Sequence, residues 1–391
     1  MKNIDFQEPS GRVQLNNYRK VLMKYQNIYR STFSIILSIG MLFIVFAFSK
    51  WNINKDSFDN SGIENKMSLQ QNLVDEDKQK GVHFFGRVDS INLSHLAQNN
   101  IEWLTLVAWS DQQNCKSPMV RHHNGDSLMI LQRDSSWFSR IKKAQAAGFK
   151  VFIKPHVWIY EPENGKWRSD IFPTNEKNWK TWKQSYRDFI LRYAKIAEKA
   201  NAEMFCIGTE FTKLSTEKPT FWKQLIKDVR AIYSGKITYA ANWYDEYEKI
   251  TFWDELDYIG VQAYFPLVKN KNPSVQQVSK GWKGHLSDLK SIHEKFNRKI
   301  LFTEIGYKST ADSAIEPWKW LEYAKVEQPP ISLETQKKCY QAFFNTVWGK
   351  EWFAGVHIWQ LNDYEGYGGK DNLDFTPQGK PAEGITRKGF E

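Results

Sequence analysis

From residue 81 onward, short apolar runs alternate with longer amphipathic stretches. Eight runs read as strands: GVHFFG (81–86), IEWLTLVAW (101–109), KVFIKPHVW (150–158), EMFCIGTEF (203–211), KITYAANW (236–243), LDYIGVQAYF (256–265), KILFTEIGY (299–307) and FAGVHIWQLN (353–362). They are apolar almost throughout, as a parallel sheet covered on both faces requires. The stretches between them read as helices. Trp179, Trp182, Tyr186, Phe189, Ile190, Tyr193, Ile196 and Ala197 recur at three- and four-residue spacing. A helical pattern over residues 135–147 stops at Gly148, which suits a C-terminal cap. Eight strand–helix units in this length predict an α/β fold, a (β/α)8 TIM barrel. A doubly wound open sheet is the competing arrangement, but no Gly-rich phosphate loop follows the first strand.

The pattern changes upstream. FSIILSIGMLFIVFAF, residues 33–48, is an uncharged run of sixteen that Ser31 and Thr32 extend. A spanning helix needs about 20 mostly apolar residues, with roughly 17 the lower limit, so residues 31–51 are expected to form a transmembrane signal anchor. Lys2, Arg12, Arg19, Lys20, Lys24 and Arg30 precede it against Asp5 and Glu8, which keeps residues 1–30 on the cytoplasmic side. The remainder is then extracytoplasmic. Ala47-Phe48-Ser49 faintly resembles a cleavage site, but the basic lead is longer than a signal peptide's, so an uncleaved anchor is expected. Residues 52–80 are rich in Asn, Asp, Lys, Ser and Gln, bury little apolar surface and read as a flexible linker. Residues 81–391 form the remaining domain.

Charge and cysteine content narrow the function. The chain carries a net charge of +10, of which residues 1–50 supply +5 (seven basic against two acidic residues). No basic stripe with interleaved aromatics is present, which argues against nucleic acid as a partner. Three cysteines, Cys115, Cys206 and Cys339, include no CxxC pair, and neither a disulfide framework nor a metal site of usual Cys/His spacing is expected. His122 and His123 sit in a Gly/Asn/Asp-rich loop and read as a solvated turn. No cofactor is expected, and the protein is expected to be a monomer. Aromatics are abundant, at 17 Trp, 17 Tyr and 25 Phe. A Trp face packs against the C–H face of a sugar while its N–H stays free to hydrogen-bond.

In a (β/α)8 barrel the active site lies at the carboxyl ends of the strands. Those ends place Trp109 on the second strand, His156 and Trp158 on the third, and Glu210 on the fourth. Asn242 and Trp243 end the fifth, Gln262 and Tyr264 the sixth, Glu304 and Tyr307 the seventh, and Trp359 the eighth, with Asn362 and Asp363 beyond it. Two carboxylates at one aromatic mouth are the minimum equipment for cutting a glycosidic bond, one donating a proton to the leaving oxygen and one attacking the anomeric carbon. The bland alternative pairs each Glu with a Lys or Arg as a structural salt bridge. A metal-dependent hydrolase would need clustered His and Asp at strand ends. His357, two residues before Trp359, reads as a satisfied core histidine.

The wording KPHVW, IGTEF, ITYAANW, DYIGVQAYFPL, FTEIGY and HIWQLND, with the tail DFTPQGKPA (374–382), resembles glycoside hydrolase family 113 over residues 81–382. The resemblance implies a retaining β-1,4-mannanase-like enzyme of the large clan of (β/α)8 glycosidases, with a polysaccharide or oligosaccharide substrate. It implies Glu210 as general acid/base, Glu304 as nucleophile and Tyr264 bonded to Glu304. Trp359 would floor the subsite at the scissile bond, and His156, Trp158, Asn242 and Trp243 would contact sugar hydroxyls or rings. Trp109, Gln262 and Tyr307 are substrate-binding candidates by position alone. Most of that clan has Asn before the acid/base; here the position is Thr209, which leaves the sugar 2-hydroxyl contact unassigned. The rival function is a membrane-tethered carbohydrate-binding protein on a catalytically silent barrel.

Overall fold

The computed structural model of the protein describes residues 78–391 apart from 89, 122–126, 164, 322–328 and 364–366. The expected cytoplasmic segment, the anchor at 31–51, nearly all of the linker and the His122–His123 turn therefore lie outside the described residues. Among the described residues no helix is long and apolar enough to cross a membrane.

Eight parallel strands close into a barrel in chain order. They are β1 (Gln79–Phe85), β2 (Trp103–Gln112), β3 (Lys150–Ile159), β4 (Met204–Thr209), β5 (Lys236–Asn242), β6 (Tyr258–Gln262), β7 (Ile300–Ile305) and β8 (Phe353–Asn362). Each falls on one of the apolar runs. The helices are α1 (Ser90–Gln98), α2 (Ser127–Ala146), α3 (Glu176–Ala200), α4 (Thr212–Glu217), α5 (Pro219–Arg230), α6 (Val275–Phe296), α7 (Leu333–Phe343) and α8 (Pro381–Gly389). One boundary moves for a physical reason. β1 starts at Gln79, inside the segment read as linker, because closure needs Gln79 and Lys80 opposite Gly355 and Val356 of β8.

Capping chemistry sets the helix ends. Asn175 accepts from the Asn178 N–H at the start of α3, and Asn201 ends it in a left-handed conformation at φ 53°. The apolar stripe of α3 is buried from Trp179 to Ala197 as its spacing predicts, except for Tyr193, which is half-buried. α2 starts eight residues earlier than the periodicity indicates, and Gly148 follows it at φ +89°. Trp222, Trp253 and Trp282 are fully buried between barrel and helices. Each such ring contributes roughly 1.5–3 kcal/mol or more relative to exposure.

The barrel interior is apolar at one end and polar at the other. Trp103, Phe152, Met204, Cys206, Ala240, Tyr258, Leu301 and Ala354 form one apolar cluster. His357 is fully buried with both ring nitrogens partnered, by Thr105 Oγ1 at 2.7 Å and Gln79 Oε1 at 2.8 Å, as a satisfied core histidine should be. Its alternation partner Trp359 lies nearer the mouth. The two strands that lead to the acids are irregular: register shifts fall between Cys206 and Thr209 on β4 and between Phe302 and Ile305 on β7. Such bulges re-aim side chains next to active sites. Thr303 and Glu304 both reach the same interior cluster, which strict alternation would forbid.

Candidate active site

Glu304, near the end of β7, is almost fully buried. One carboxylate oxygen, Oε1, accepts from the Lys154 ammonium; the other, Oε2, accepts from the Tyr264 hydroxyl at 2.7 Å. His83 Nε2 and His156 Nε2 each lie 3.8 Å from Oε1. Donors on both oxygens suit an ionised carboxylate, which only accepts. Lys154 rises from the interior face of β3 with no solvent exposure. It also donates to Gln262 Oε1 at 2.8 Å and the Thr303 carbonyl at 3.4 Å. Burial lowers its pKa from the ordinary lysine value, and the adjacent Glu304 charge opposes that.

Glu210 sits one residue past β4 with a backbone φ of 59°. A non-glycine residue in this left-handed region costs of order 1–3 kcal/mol and persists only where its surroundings over-determine it. Its Oε2 accepts from Arg168 Nη2 at 2.7 Å and Nε at 3.3 Å, and its Oε1 faces Gln262 Nε2 at 3.4 Å. Arg168, on a 3₁₀ turn (Arg168–Asp170), is buried and lies over the Trp167 ring.

Both acids thus have cationic partners, as the salt-bridge alternative anticipates. The pairs are not independent, however. Gln262 accepts from Lys154 with one end of its amide and donates to Glu210 with the other. His156 receives an Arg168 N–H on Nδ1 at 3.3 Å while its Nε2 faces Glu304. Arginine only donates, so Nδ1 is the acceptor and Nε2 carries the proton. Burial, then Lys154 and Arg168, holds the His156 pKa well below the usual range, so the ring is neutral. Among the described residues its Nε2–H has no hydrogen-bond partner.

Aromatic rings surround this cluster. Trp359 stacks over His156 at 6.3 Å and 14° and meets His83 at 4.9 Å, and its own Nε1 is unpartnered among the described residues. The peptide between Trp359 and Gln360 is cis. Trp109, partly exposed, presents an edge contact to His156 and Trp158, and Trp158 to Trp167. Trp243 stacks on Trp318 at 5.0 Å. Asn242 donates its amide to Thr212 Oγ1 and Glu246 Oε2.

One expectation fails. Tyr307 is fully buried against Tyr340 of α7, in the layer between barrel and helices, and does not join the carboxylate cluster. Beyond the end of β7 the chain has turned outward. Asn362 likewise serves the tail, its N–H donating to Gln378. Thr209 is occupied as well: its hydroxyl donates to the Pro155 carbonyl at 3.3 Å. Sequence reasoning passed over Lys154, Arg168 and Glu246, and read Trp318 and Trp320 as core or surface. Only Lys154 carried a signal, a charge in the middle of an apolar strand. The tail 374–382 closes over the site, with Phe375 against Tyr264 and Trp320.

Residues 75–380 match the profile of Glycoside Hydrolase Family 113. A family 113 β-1,4-mannanase structure superposes with a TM-score of 0.67 at 26% identity, covering 80% of this chain and 98% of that one. The family 113 β-mannanase of Alicyclobacillus acidocaldarius in complex with ManMIm gives the same TM-score and identity over 80% and 97%. A β-glucuronidase of Faecalibacterium prausnitzii, at 13% identity and a TM-score of 0.51 over 80% and 48%, shares the fold alone. No curated protein sequence matches the chain. With its eight-stranded barrel and a family match over most of its length, the chain belongs to glycoside hydrolase family 113.

Proposed function

We propose that the protein is a retaining β-1,4-mannanase, with Glu304 as nucleophile and Glu210 as general acid/base. The observation that carries this reading is the chain of contacts between the two carboxylates, from Glu304 through Lys154 and the Gln262 amide to Glu210, with Trp359 stacked on His156 beside it. Residues so linked face one substrate. A retaining enzyme places its carboxyl groups about 5 Å apart.

In the first step a Glu304 oxygen attacks the anomeric carbon as Glu210 gives its proton to the departing glycosidic oxygen. In the second, Glu210 takes a proton from water, which displaces Glu304 and regenerates both groups. Tyr264 and Lys154 hold the nucleophile, and Lys154 loses its counter-charge while Glu304 is esterified, which favours the second step. His156 Nε2–H supplies a donor, and the Asn242 amide oxygen an acceptor, for sugar hydroxyls. Mannan as the substrate rests on the two mannanase structures above. Residues 31–51 would anchor the enzyme with this domain outside the membrane.

The test is product analysis of the full chain on mannan, cellulose and xylan. The reading expects reducing ends from mannan first, near-total loss in Glu304→Ala, and partial azide rescue of that variant with inverted product. Polysaccharide binding with no turnover on any of the three would favour the tethered binder instead.

A further inference from the structure

Glu246, in the turn after β5, is a third buried acid, one that neither carboxylate role uses. It has no solvent exposure yet accepts five hydrogen bonds. On Oε1 the donors are the Tyr239 hydroxyl at 2.5 Å and Ser215 Oγ at 2.8 Å. On Oε2 they are the Asn242 N–H at 2.7 Å, Asn242 Nδ2 at 3.1 Å and Thr212 Oγ1 at 3.2 Å. These donors come from two different strand-end regions, the segment after β4 and the end of β5. A buried carboxylate satisfied to this degree rigidifies its neighbours, and losing it strands several donors at once.

Two of its links run to the reaction. The Tyr239 hydroxyl that donates to Glu246 accepts the N–H of Phe211 at 2.8 Å. Phe211 follows Glu210 directly, and the Glu210 N–H is held on its other side by the Ala240 carbonyl at 2.9 Å. The left-handed backbone of Glu210 is therefore clamped at both flanking peptides, one clamp resting on Glu246. The second link is Asn242 at the end of β5, whose backbone N–H and side-chain amide both donate to Glu246 Oε2. Gly208 leaves room for this arrangement: a Cβ there would lie 2.7 Å from the Trp222 ring and 2.8 Å from the Tyr239 ring. Burial pushes the Glu246 carboxyl up to about 7, its donors working against that.

We propose that Glu246 is a positioning residue, aiming the acid/base Glu210 through Tyr239 and Phe211, and aiming Asn242 at the sugar. This rests on the hydrolytic reading above. The test compares two substrates by kcat/KM, which reports the chemistry up to glycosyl-enzyme formation. A manno-oligosaccharide needs its leaving oxygen protonated; 2,4-dinitrophenyl β-mannoside does not. Both are measured with the full chain carrying Glu246→Gln or Tyr239→Phe, and rates are divided by the active fraction titrated with a 2-deoxy-2-fluoro glycoside.

If Glu246 aims the acid/base, kcat/KM falls on the oligosaccharide about tenfold or more beyond any fall on the aryl mannoside, because misplacing a catalytic group by about 1 Å costs on the order of 10²-fold. Tyr239→Phe, which keeps the ring and loses only the hydroxyl, shows the same selective fall. Equal falls on both substrates, or no fall in the oligosaccharide rate, overturn the proposal. Should Glu246→Gln fail to fold, Tyr239→Phe alone decides. Wild-type protein that turns over neither substrate would instead overturn the hydrolytic reading, so the two failures are distinct.

Discussion

Lys154→Met tests whether the buried charge network is physically as described. Lys154 has no solvent exposure and Glu304 almost none, so their pairing takes place away from water. Removing the cation leaves the Glu304 carboxylate with the Tyr264 hydroxyl as its one close donor and Gln262 Oε1 with the Thr303 hydroxyl. Breaking a buried pair from one side costs roughly 3–5 kcal/mol, because the remaining charge stays desolvated and unpaired. An unfolding entropy of about 2.1 cal/mol/K per residue gives a domain of this size a Tm shift of roughly 1.5 °C per kcal/mol, so a drop on the order of 5–8 °C is expected. The double variant Lys154→Met/Glu304→Gln removes both charges and should recover most of that loss, although both variants are inactive. Chemical denaturation of the wild type, both single variants and the double variant supplies the cycle. A Lys154→Met loss below about 1 kcal/mol, or no recovery in the double variant, would refute the idea that these two charges compensate each other.

Three further outcomes follow from individual contacts. Tyr264→Phe removes one hydrogen bond to a carboxylate oxygen, worth about 1.5–3 kcal/mol, so Tm should fall by a few degrees and kcat/KM on mannan about 10- to 100-fold; a change in kcat/KM under twofold contradicts the contact at 2.7 Å. Burial raises the Glu246 carboxyl from 4.5 to about 7. A raised carboxyl stabilises the fold fully below about pH 4.5 and loses that contribution as pH rises through about 7, a change of about 3 kcal/mol. Denaturation at pH 5 and pH 8 should therefore show a steeper decline in the wild type than in Glu246→Gln, and parallel declines would contradict it. Gly208→Ala should destabilise by about 1–3 kcal/mol through overpacking and lower mannan hydrolysis by displacing Tyr239; an active, equally stable variant would show that the ring yields freely.

The barrel was legible because parallel strands buried on both faces are written as near-continuous apolar runs, and each run holds one strand. The mouth was legible to the same extent, since Glu210, Glu304, His156, Gln262, Tyr264 and Trp359 all converge. What escaped depends on loops and bulges, which leave no periodic trace. Arg168 and Glu246 act from turns whose shape is set by contacts far along the chain. The bulges on β4 and β7 decide which way each acid points, and the Tyr307 expectation failed at that level of detail. The left-handed conformation of Glu210 had no glycine to announce it. Lys154 is the exception: a charge between Ile153 and Pro155 in the middle of an apolar strand was visible, although its place in the site was not read from it.

The central claim is a covalent bond between Glu304 and the sugar. Incubation with a 2-deoxy-2-fluoro-β-mannosyl fluoride, followed by intact-mass measurement and peptide mapping, addresses it directly. One added glycosyl group on the peptide containing Glu304, absent in Glu304→Ala, is the predicted result. A label on another residue, or turnover of mannan with no trapped adduct and an inverted anomeric product, would contradict it.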